Sequence, residues 1–281
     1  MNKIRPIKVI IEPQYVIEGA GVLLRRSISP QVTNQFDPFL LFDHFAFNDP
    51  VEGPIRGFPM HPHRGIETVT YILKGSVIHR DSLGNAGLIG PGDIQWMTAG
   101  AGILHEEMPH RGADGIIDGF QLWVNLPAVQ KMIRPRYQGV TAANIPSAKG
   151  PGWRARVVAG VVEGISGPVT EIAANPLYLE VAMDIGSKFN LPIPEGHTAL
   201  VYVFDGQATF ADQEVTAVKL AVFDKGDQIE IRTGAMPVRF MLMAGAPIGE
   251  PIVPYGPFVM NTREEIQQAL TDLRNGTFVQ T

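Results

Sequence analysis

Two pairs of candidate metal ligands in the first half of the chain constrain its fold more than any other feature. His61 and His63 form one pair, and His105 and Glu107 form the other. Residues two positions apart project from the same face of an extended strand, so two neighbouring strands of this kind can enclose a single metal ion. Glu106 has the opposite parity, which leaves Glu107 as the carboxylate candidate. Three imidazoles and one carboxylate favour a divalent transition metal such as iron, because calcium and magnesium prefer shells made of oxygen alone.

The residues after the first pair alternate as they do in a half-buried strand. Val69, Tyr71 and Leu73 share the odd parity of the two histidines, whereas polar residues occupy most of the even positions. The histidines are therefore expected to point inward with these apolar side chains, unless Gly65 introduces a bulge.

Composition and charge exclude several classes of protein. The chain has 281 residues, of which 45% are hydrophobic and 18% are charged, so it can bury a sizeable core. The net charge of -5 and the lack of any Lys/Arg cluster argue against direct binding to nucleic acid. No apolar run approaches the ~20 residues of a membrane span, and the first residues are too interrupted by charge and proline for a secretory signal. The chain contains no Cys, which excludes disulfides and cysteine-ligated metals. We therefore expect a cytoplasmic protein without membrane contact.

Short apolar runs separated by turn signals continue through most of the chain and predict a β-sandwich or β-barrel rather than βαβ units. An internal repeat is visible within this pattern, because residues 71–75 align with residues 202–206 and Gly92 aligns with Gly226. The same offsets assign four residues of the second half to the positions of the candidate ligands, namely Pro192, Pro194, Arg239 and Met241. The second half is therefore expected to keep the scaffold and to lack the metal site.

The predicted domain organisation follows from this repeat. Residues 1–135 are expected to form an N-terminal metal-binding barrel, residues 136–152 a linker, and residues 153–281 a C-terminal barrel without a metal site. One helix is predicted at residues 262–275, where Thr262 and Glu265 form a capping box and Gly276 provides a stop. An apolar stripe that begins at Ile266 indicates that this helix packs on a barrel face.

Several longer motifs give the chain a specific resemblance. HPHRGIETVTYILKG, GDIQWMTAGAGILHEEMPH and FQLWVNLP, together with FVMNTREEIQQAL near the C-terminus, resemble the pirin family of bicupins. The resemblance implies an all-β chain of two tandem cupin domains, each a double-stranded antiparallel β-barrel, with a C-terminal helix. It also implies one iron ion, Fe(II) or Fe(III), in the N-terminal barrel, with other divalent transition metals as alternatives. The pirin ligands carry over to His61, His63, His105 and Glu107, the same four residues that parity selects.

Other polar residues near these motifs are weaker candidates for the metal site. Glu67 holds the position of the usual cupin carboxylate ligand, and its parity places it near the metal, either as a ligand or as an outer partner. His79 is expected on the outer face of its strand, and Arg64 is expected at the rim or on a partner-facing surface. His44 and His197 are expected to have structural or surface roles, because neither has a paired ligand.

The resemblance also implies a function. Some pirins cleave the flavonol quercetin with dioxygen, so the chain is expected to be a metal-dependent dioxygenase that takes a small aromatic substrate and O2. In this hypothesis the metal binds the flavonol 3-hydroxyl as a Lewis acid, and Glu107 loosens from the metal and takes the hydroxyl proton as the catalytic general base. The alternative is an iron-dependent redox-sensing regulatory protein that binds protein partners through the surface around Arg64. A third alternative is a purely structural metal, and a monomer is expected in every case.

Overall fold

A computed structural model describes residues 3–31, 35–47 and 57–279 of the chain. Short antiparallel strands dominate it, as the alternating sequence predicts. The first strands are β1 (Ile7–Ile11), β2 (Gln14–Glu18), β3 (Val22–Ile28), β4 (Phe39–Phe47), β5 (Phe58–His63), β6 (Ile66–Lys74), β7 (Ser76–Asp81), β8 (Ala86–Ile89), β9 (Ile94–Thr98), β10 (Ile103–His110), β11 (Ile117–Asn125) and β12 (Arg136–Val140). The remaining elements are β13 (Ser147–Gly150), β14 (Trp153–Ala159), β15 (Val161–Val162), β16 (Ile165–Ser166), β17 (Leu177–Met183), β18 (Lys188–Pro192), β19 (Thr198–Phe210), β20 (Gln213–Thr216), β21 (Lys219–Phe223), β22 (Gln228–Arg232), β23 (Val238–Gly245), β24 (Val253–Tyr255), β25 (Phe258–Met260) and the helix α1 (Arg263–Asn275). Two short 3-10 turns lie at Ala128–Gln130 and Ala142–Asn144.

The described residues divide into two compact units that do not follow the linear order of the chain. The first-half unit contains Gln14–Ala142 and the segment that begins at Ile248. The second-half unit contains Ala143–Pro247 and the segment that ends at Pro13.

This division differs from the predicted boundaries at residues 1–135, 136–152 and 153–281. Strand β1 pairs with β21 and so adds an edge to a sheet of the second-half unit. The residues predicted as a linker form β12, which pairs with β9, and β13, which pairs with β14. The segment from Ile248 lies in the first-half unit, where Phe258 and Met260 share a buried cluster with α1. The Pro and Gly residues near position 140 therefore mark turns between paired strands, because both flanking segments have backbone partners.

Both units have the same strand topology. In the first-half unit, one sheet has the order β12-β9-β6-β11-β4-β3-β2 and the other has the order β5-β10-β7-β8. In the second-half unit, the order β1-β21-β19-β23-β17-β14-β13 corresponds to the first sheet, and the pairs β18–β22 and β19–β20 correspond to parts of the second. Gly75 and Gly206, which the repeat aligns, have φ values of 72° and 73°. The topology thus agrees with the repeat that the sequence predicts.

The repeat fails at one strand. Arg239 and Met241 lie on β23, which is the counterpart of β11, whereas the counterpart of β10 is β22. The alignment of these two residues with His105 and Glu107 is therefore wrong, because Gly92 precedes β9 whereas Gly226 precedes β22, so the offset between these two glycines joins turns that are not equivalent.

Strands β18 and β22 carry apolar side chains where β5 and β10 carry candidate ligands. Phe189, Leu191, Ile229 and Ile231 are each at most 4% exposed, and all four belong to one buried cluster. Burial of each such side chain contributes about 1.5–3 kcal/mol. Apolar packing between β18 and β22 therefore stabilises the second-half unit at the position where β5 and β10 of the first-half unit carry imidazoles.

The C-terminal helix forms where the sequence predicts it. Thr262 accepts a hydrogen bond from the backbone of Glu265 and closes a capping box, and Gly276 ends the helix with φ +72°. Ile266 and Ala269 are buried against the β24–β25 hairpin. In the part of the chain that the structure describes, no helix has both the length and the apolar character that crossing a membrane requires.

Candidate metal centre

Strands β5 and β10 bring three imidazoles together in the first-half unit. Strand β5 provides His61 and His63, and its antiparallel pairing with β10 places His105 opposite His61. Nε2 of His61 lies 3.1 Å from Nε2 of His63 and 3.0 Å from Nε2 of His105. Among the described residues, this histidine trio is the one group of three or more His, Cys, Asp or Glu side chains that could hold a metal ion.

The distances from Nε2 of His61 to the Nε2 atoms of His63 and His105 fit a single metal ion. Metal–imidazole bonds are about 2.0–2.1 Å long, so the nitrogen atoms of two imidazoles at adjacent corners of an octahedron or tetrahedron lie ~2.9–3.4 Å apart. The separations of 3.0 and 3.1 Å fall within this range. Imidazole donors without thiolate suit iron and other divalent transition metals.

Two imidazoles of the trio are oriented through their other ring nitrogen. Nδ1 of His61 lies 2.9 Å from the carbonyl oxygen of Pro59, and Nδ1 of His63 lies 3.2 Å from that of Pro257. A carbonyl oxygen only accepts hydrogen bonds, so Nδ1 carries the hydrogen in both rings and Nε2 keeps its lone pair for a metal. Partners of this kind fix the tautomer and the ring orientation of metal ligands.

His79 orients the third imidazole, and sequence reasoning missed this role. The prediction of an outer-face position is wrong, because β7 pairs with β10 in a register that places His79 opposite Glu107. Its side chain is 1% exposed, and its Nε2 lies 3.0 Å from Nδ1 of His105. Parity gave no clear signal, because the apolar residues Val77 and Ile78 have opposite parities and only the register with β10 identifies the inward face.

The surroundings of His63 and His105 favour uncharged imidazoles. Burial lowers the pKa of His63 well below that of a free imidazole, and the neighbouring His105 and His61 add to the shift. Burial also lowers the pKa of His105, with further contributions from His61 and His79. Metal ligation requires neutral imidazole, so the site is prepared for a metal ion at neutral pH.

Glu107 lies on the same strand face as His105, but its carboxylate is not part of the histidine trio. The hydroxyl of Thr70 donates to Oε1 at 2.8 Å, and the amide of Gln121 donates to Oε2 at 2.9 Å. The side chain is 4% exposed. Each carboxylate oxygen can accept more than one hydrogen bond, so both oxygens retain capacity for a ligand.

The β6 residues that face the cavity have the parity opposite to that predicted, and the conformation of Gly65 explains why. Gly65 adopts φ +79° between β5 and β6, so the parity of the histidines does not continue into β6. Thr70 faces the cavity beside the trio, whereas Val69 and Tyr71 are buried on the opposite face. A Cβ atom at position 65 would lie 2.1 Å from the carbonyl oxygen of Val259. The bulge that the sequence left open is therefore a tight turn that only glycine can make.

Arg64 does not occupy a rim or partner-facing position, and that prediction is wrong. Its side chain is 1% exposed. Nη1 donates to Oδ2 of Asp272 at 2.7 Å, and the guanidinium carbon lies 4.4 Å from the centroid of the Phe278 ring. The residue that follows His63 is thus bound to the C-terminal helix inside the first-half unit.

The other sequence candidates lie outside the trio. Glu67 is buried and accepts a hydrogen bond of 2.7 Å from the hydroxyl of Thr98. Nε2 of His44 lies 2.8 Å from Oδ1 of Asp118, which fits a structural role. His197 lies in the second-half unit, where the main-chain oxygen of that residue accepts from the guanidinium of Arg5.

A cavity of about 580 Å³ lies beside the trio and is lined from both sheets of the first-half unit. His61, His63 and Glu107 form part of its wall, and Phe45 and Trp123 contribute aromatic surface. This volume is within the range of small-molecule sites, which combine apolar walls with a few polar groups.

Three further charged residues line the same cavity. Nε and Nη2 of Arg26 donate to Oδ1 and Oδ2 of Asp43 at 2.9 and 2.7 Å, and Nη1 donates to Oε1 of Glu18 at 2.7 Å. Burial raises the pKa of Asp43, and the hydrogen bonds from Arg26 oppose that rise. The two-point contact is the geometry of an ionised guanidinium–carboxylate pair.

Comparison with known proteins gives matches over most of the chain. The family model described as Pirin matches residues 21–124, and the model described as Pirin C-terminal cupin domain matches residues 178–279. A pirin-like protein of Caulobacter vibrioides is 43% identical over 277 residues, which cover 98% of this chain and 99% of that protein. Pirin of Homo sapiens is 43% identical over 265 residues, which cover 92% of this chain and 88% of that protein. The crystal structure of a quercetin 2,3-dioxygenase from Acinetobacter baumannii matches with a TM-score of 0.89 at 35% identity and covers 98% of both chains.

Proposed function

Because this chain belongs to the pirin family and folds as two tandem cupin domains, we propose that it is a metal-dependent dioxygenase that cleaves a flavonol such as quercetin. One observation carries the proposal. His61 and His63 belong to the histidine trio and also form part of the wall of a cavity of about 580 Å³. A metal held there would be open to a small molecule, as catalytic metal sites are, whereas structural sites are closed by protein ligands.

The proposed ligand set is His61, His63, His105 and Glu107, with iron as the proposed metal. Three imidazoles and one carboxylate leave up to two positions of an octahedral shell for other ligands. A bound metal ion would supply a Lewis acid for a phenolic oxygen and a position for dioxygen. Glu107 belongs in this set because it shares the inward face of β10 with His105 and lines the cavity.

Glu107 is also the proposed general base. A carboxylate oxygen takes the proton of the substrate hydroxyl, while Thr70 and Gln121 hold the carboxylate by the hydrogen bonds they donate to it. The deprotonated flavonol is the electron-rich partner that reacts with dioxygen. Both oxygen atoms of dioxygen enter the ring-opened ester, and one ring carbon leaves as carbon monoxide, so atoms and electrons balance without another reductant.

The apolar walls of the cavity hold the substrate. Phe45, Phe58 and Trp123 line it beside the histidines. Aromatic side chains of this kind bind a planar ring system and exclude water from the reacting oxygen.

Oxygen uptake with quercetin on the iron-loaded protein tests this function. Wild type is expected to consume oxygen and to release carbon monoxide. Glu107→Gln removes the base and is expected to slow turnover by about 100-fold or more, and His63→Ala is expected to abolish it by loss of the metal. His110→Ala is the matched control, because His110 is an exposed histidine of the same strand β10. Equal turnover by all four proteins would contradict the proposal.

A regulatory protein with redox-dependent partner binding is the second candidate. The observation that favours it is the contact between Arg64, which follows His63, and Asp272 of α1. A change in metal charge would then act on the helix rather than on a surface formed by Arg64 itself. Pull-down from a cell extract with ferrous and ferric protein tests this route, since only a difference in affinity between the two states can shift binding. Identical sets of bound proteins would count against it.

A further inference from the structure

A row of polar side chains crosses the large sheet of the first-half unit and lines the cavity. Thr70 pairs with Gln121 across β6 and β11, Gln121 pairs with Asp43 across β11 and β4, and Asp43 pairs with Arg26 across β4 and β3. All four residues line the cavity. Neighbouring strands lie ~4.8 Å apart, so the two steps from Thr70 to Asp43 span ~10 Å.

The two ends of this row have different chemistry. At one end, Thr70 and Gln121 donate hydrogen bonds to Glu107 beside the histidines. At the other end, Arg26 is paired with Asp43 and Glu18. The span of ~10 Å is comparable to the length of an aromatic compound of two or three rings.

The charged end of the row has two carboxylates for one guanidinium, so its hydrogen-bond acceptors outnumber its donors. Arg26 contributes one positive charge, and Asp43 and Glu18 contribute two negative charges, so the cluster carries one net negative charge. Each oxygen of Asp43 accepts one hydrogen bond from Arg26 and can accept another. Asp43 is 3% exposed, whereas the side chain of Glu18 is 45% exposed. Within the described residues, the buried carboxylate is therefore an acceptor fixed by Arg26, and its oxygens can each accept a further hydrogen bond at the cavity wall.

We propose that Asp43, held by Arg26, is the specificity-determining residue for the end of the substrate remote from the histidines. The substrate class is an aromatic compound whose distal ring carries an uncharged hydroxyl group. That hydroxyl donates to Asp43, and the net negative charge of Asp43, Glu18 and Arg26 rejects a carboxylate at the same position. This inference rests on the proposed function, which places the reacting end of the substrate at the histidines, but the inference itself concerns only the binding of the distal end.

Hydrogen-bond complementarity gives the expected size of the effect. A hydrogen bond to a charged acceptor is among the stronger ones in proteins. A ligand that lacks the hydroxyl leaves the acceptor without a donor, and a site built for a donor discriminates against such a ligand. We expect about a tenfold preference for the hydroxylated ligand, which corresponds to about 1.4 kcal/mol.

Anaerobic binding titrations with three matched ligands test the inference. The ligands are 3-hydroxyflavones that carry hydroxyl, hydrogen or carboxylate at the 4′ position, and the protein is the metal-loaded full chain under nitrogen. Wild type is expected to bind the hydroxyl compound about tenfold more tightly than the hydrogen compound, and the carboxylate compound most weakly. Asp43→Asn is expected to bring the hydroxyl and hydrogen compounds to nearly equal affinity.

A second variant changes the charge of the cluster and leaves the Asp43 carboxylate in place. Glu18→Gln removes one negative charge at a half-exposed position and is expected to improve binding of the carboxylate compound while leaving the preference for hydroxyl over hydrogen intact. Glu106→Gln is its matched control, because Glu106 is a partly exposed carboxylate of β10 that does not line the cavity and contacts Arg80 instead.

Three results would overturn the inference. They are equal wild-type affinity for the hydroxyl and hydrogen compounds, an unchanged preference in Asp43→Asn, and no binding of any of the three compounds. The experiment uses no oxygen, so it separates the two proposals. Selective binding without oxygen uptake would contradict the dioxygenase and support Asp43, whereas oxygen uptake without selectivity would do the reverse.

Discussion

At the scale of single residues, the second nitrogen of each imidazole organises the candidate metal centre. His61 and His63 donate to main-chain carbonyl oxygens, which neither titrate nor rotate independently of the backbone. His105 depends instead on the side chain of His79. A side-chain partner can be removed by substitution, which makes His79 the most informative position for a residue-level test.

Replacing His79 with Leu is expected to weaken metal binding by about 10–100-fold, as loss of an outer partner commonly does. The substitution removes the acceptor for the Nδ1 hydrogen of His105 and keeps a side chain of similar size. Competition with a chromophoric chelator measures the affinity. His110→Leu, on the exposed side of β10, should bind metal as wild type does, and an unchanged affinity in His79→Leu would remove His79 from the site.

The trio itself was predictable from the sequence, but its surroundings were not. Spacing of i, i+2 is enough to place His61 and His63 on one face, because the period of a strand is two. His79 was misplaced because parity within β7 cannot say which face is inward until the register with β10 is known. The hydrogen bonds of Glu107 to Thr70 and Gln121 join three strands, and such contacts are not encoded in local spacing.

At the scale of elements, the junction between β5 and β6 decides which side chains reach the cavity. Gly65 turns the chain with φ +79°, and its carbonyl oxygen accepts from Nζ of Lys131, which also donates to Asn125 and Val259. Lys131 is 1% exposed, and burial lowers its pKa to about 8. The turn is thus fixed by backbone conformation, close packing and a buried cation.

Gly65→Ala is expected to lower the free energy of unfolding by about 3 kcal/mol, because the left-handed conformation costs about 1–2 kcal/mol for an L residue and the new Cβ would meet Val259 at 2.1 Å. Gly84→Ala is the matched control, since Gly84 has φ +87° but no heavy atom within 4 Å of an added Cβ. It should cost only about 1–2 kcal/mol. Urea unfolding measures both, and equal losses would show that the contact with Val259 does not matter.

The contact between β5 and α1 predicts a pH dependence. The hydrogen bond from Arg64 lowers the pKa of Asp272 below the usual value of about 3.9. Its stabilising contribution is therefore complete above that value and is lost as the pH falls through the lower pKa of the folded state.

Asp272→Asn should accordingly be less stable than wild type by about 2 kcal/mol at pH 7, as expected for a hydrogen bond to a charged group. The difference should stay constant above about pH 4 and shrink as the pH falls below that value. Urea unfolding of the metal-free proteins at several pH values measures it. A difference that stays constant down to pH 3 would contradict the assignment of the Arg64–Asp272 pair as an ionic contact.

At the scale of the whole molecule, duplication explains both what the sequence predicts and where the prediction stops. The repeat of short strands and Gly turns predicts two all-β domains, and the sequence indicates that the second half lacks the metal site, because His197 is the one histidine after His110. The sequence does not show which sheet each edge strand joins. Strands β1 and β12 are both short, and only their partners show that β1 pairs with β21 of the second-half unit and β12 with β9 of the first-half unit. Sequence order therefore misassigns the two ends of the chain.

Anomalous diffraction from a crystal of the metal-loaded protein, measured at the absorption edge of iron, tests the central claim most directly. We expect one anomalous peak per chain, about 2.0–2.2 Å from Nε2 of His61, His63 and His105 and from an oxygen of Glu107. No peak is expected between β18 and β22 of the second-half unit, where the side chains are apolar. A metal-replete crystal with no peak at the trio, or with its peak at another site, would contradict the account.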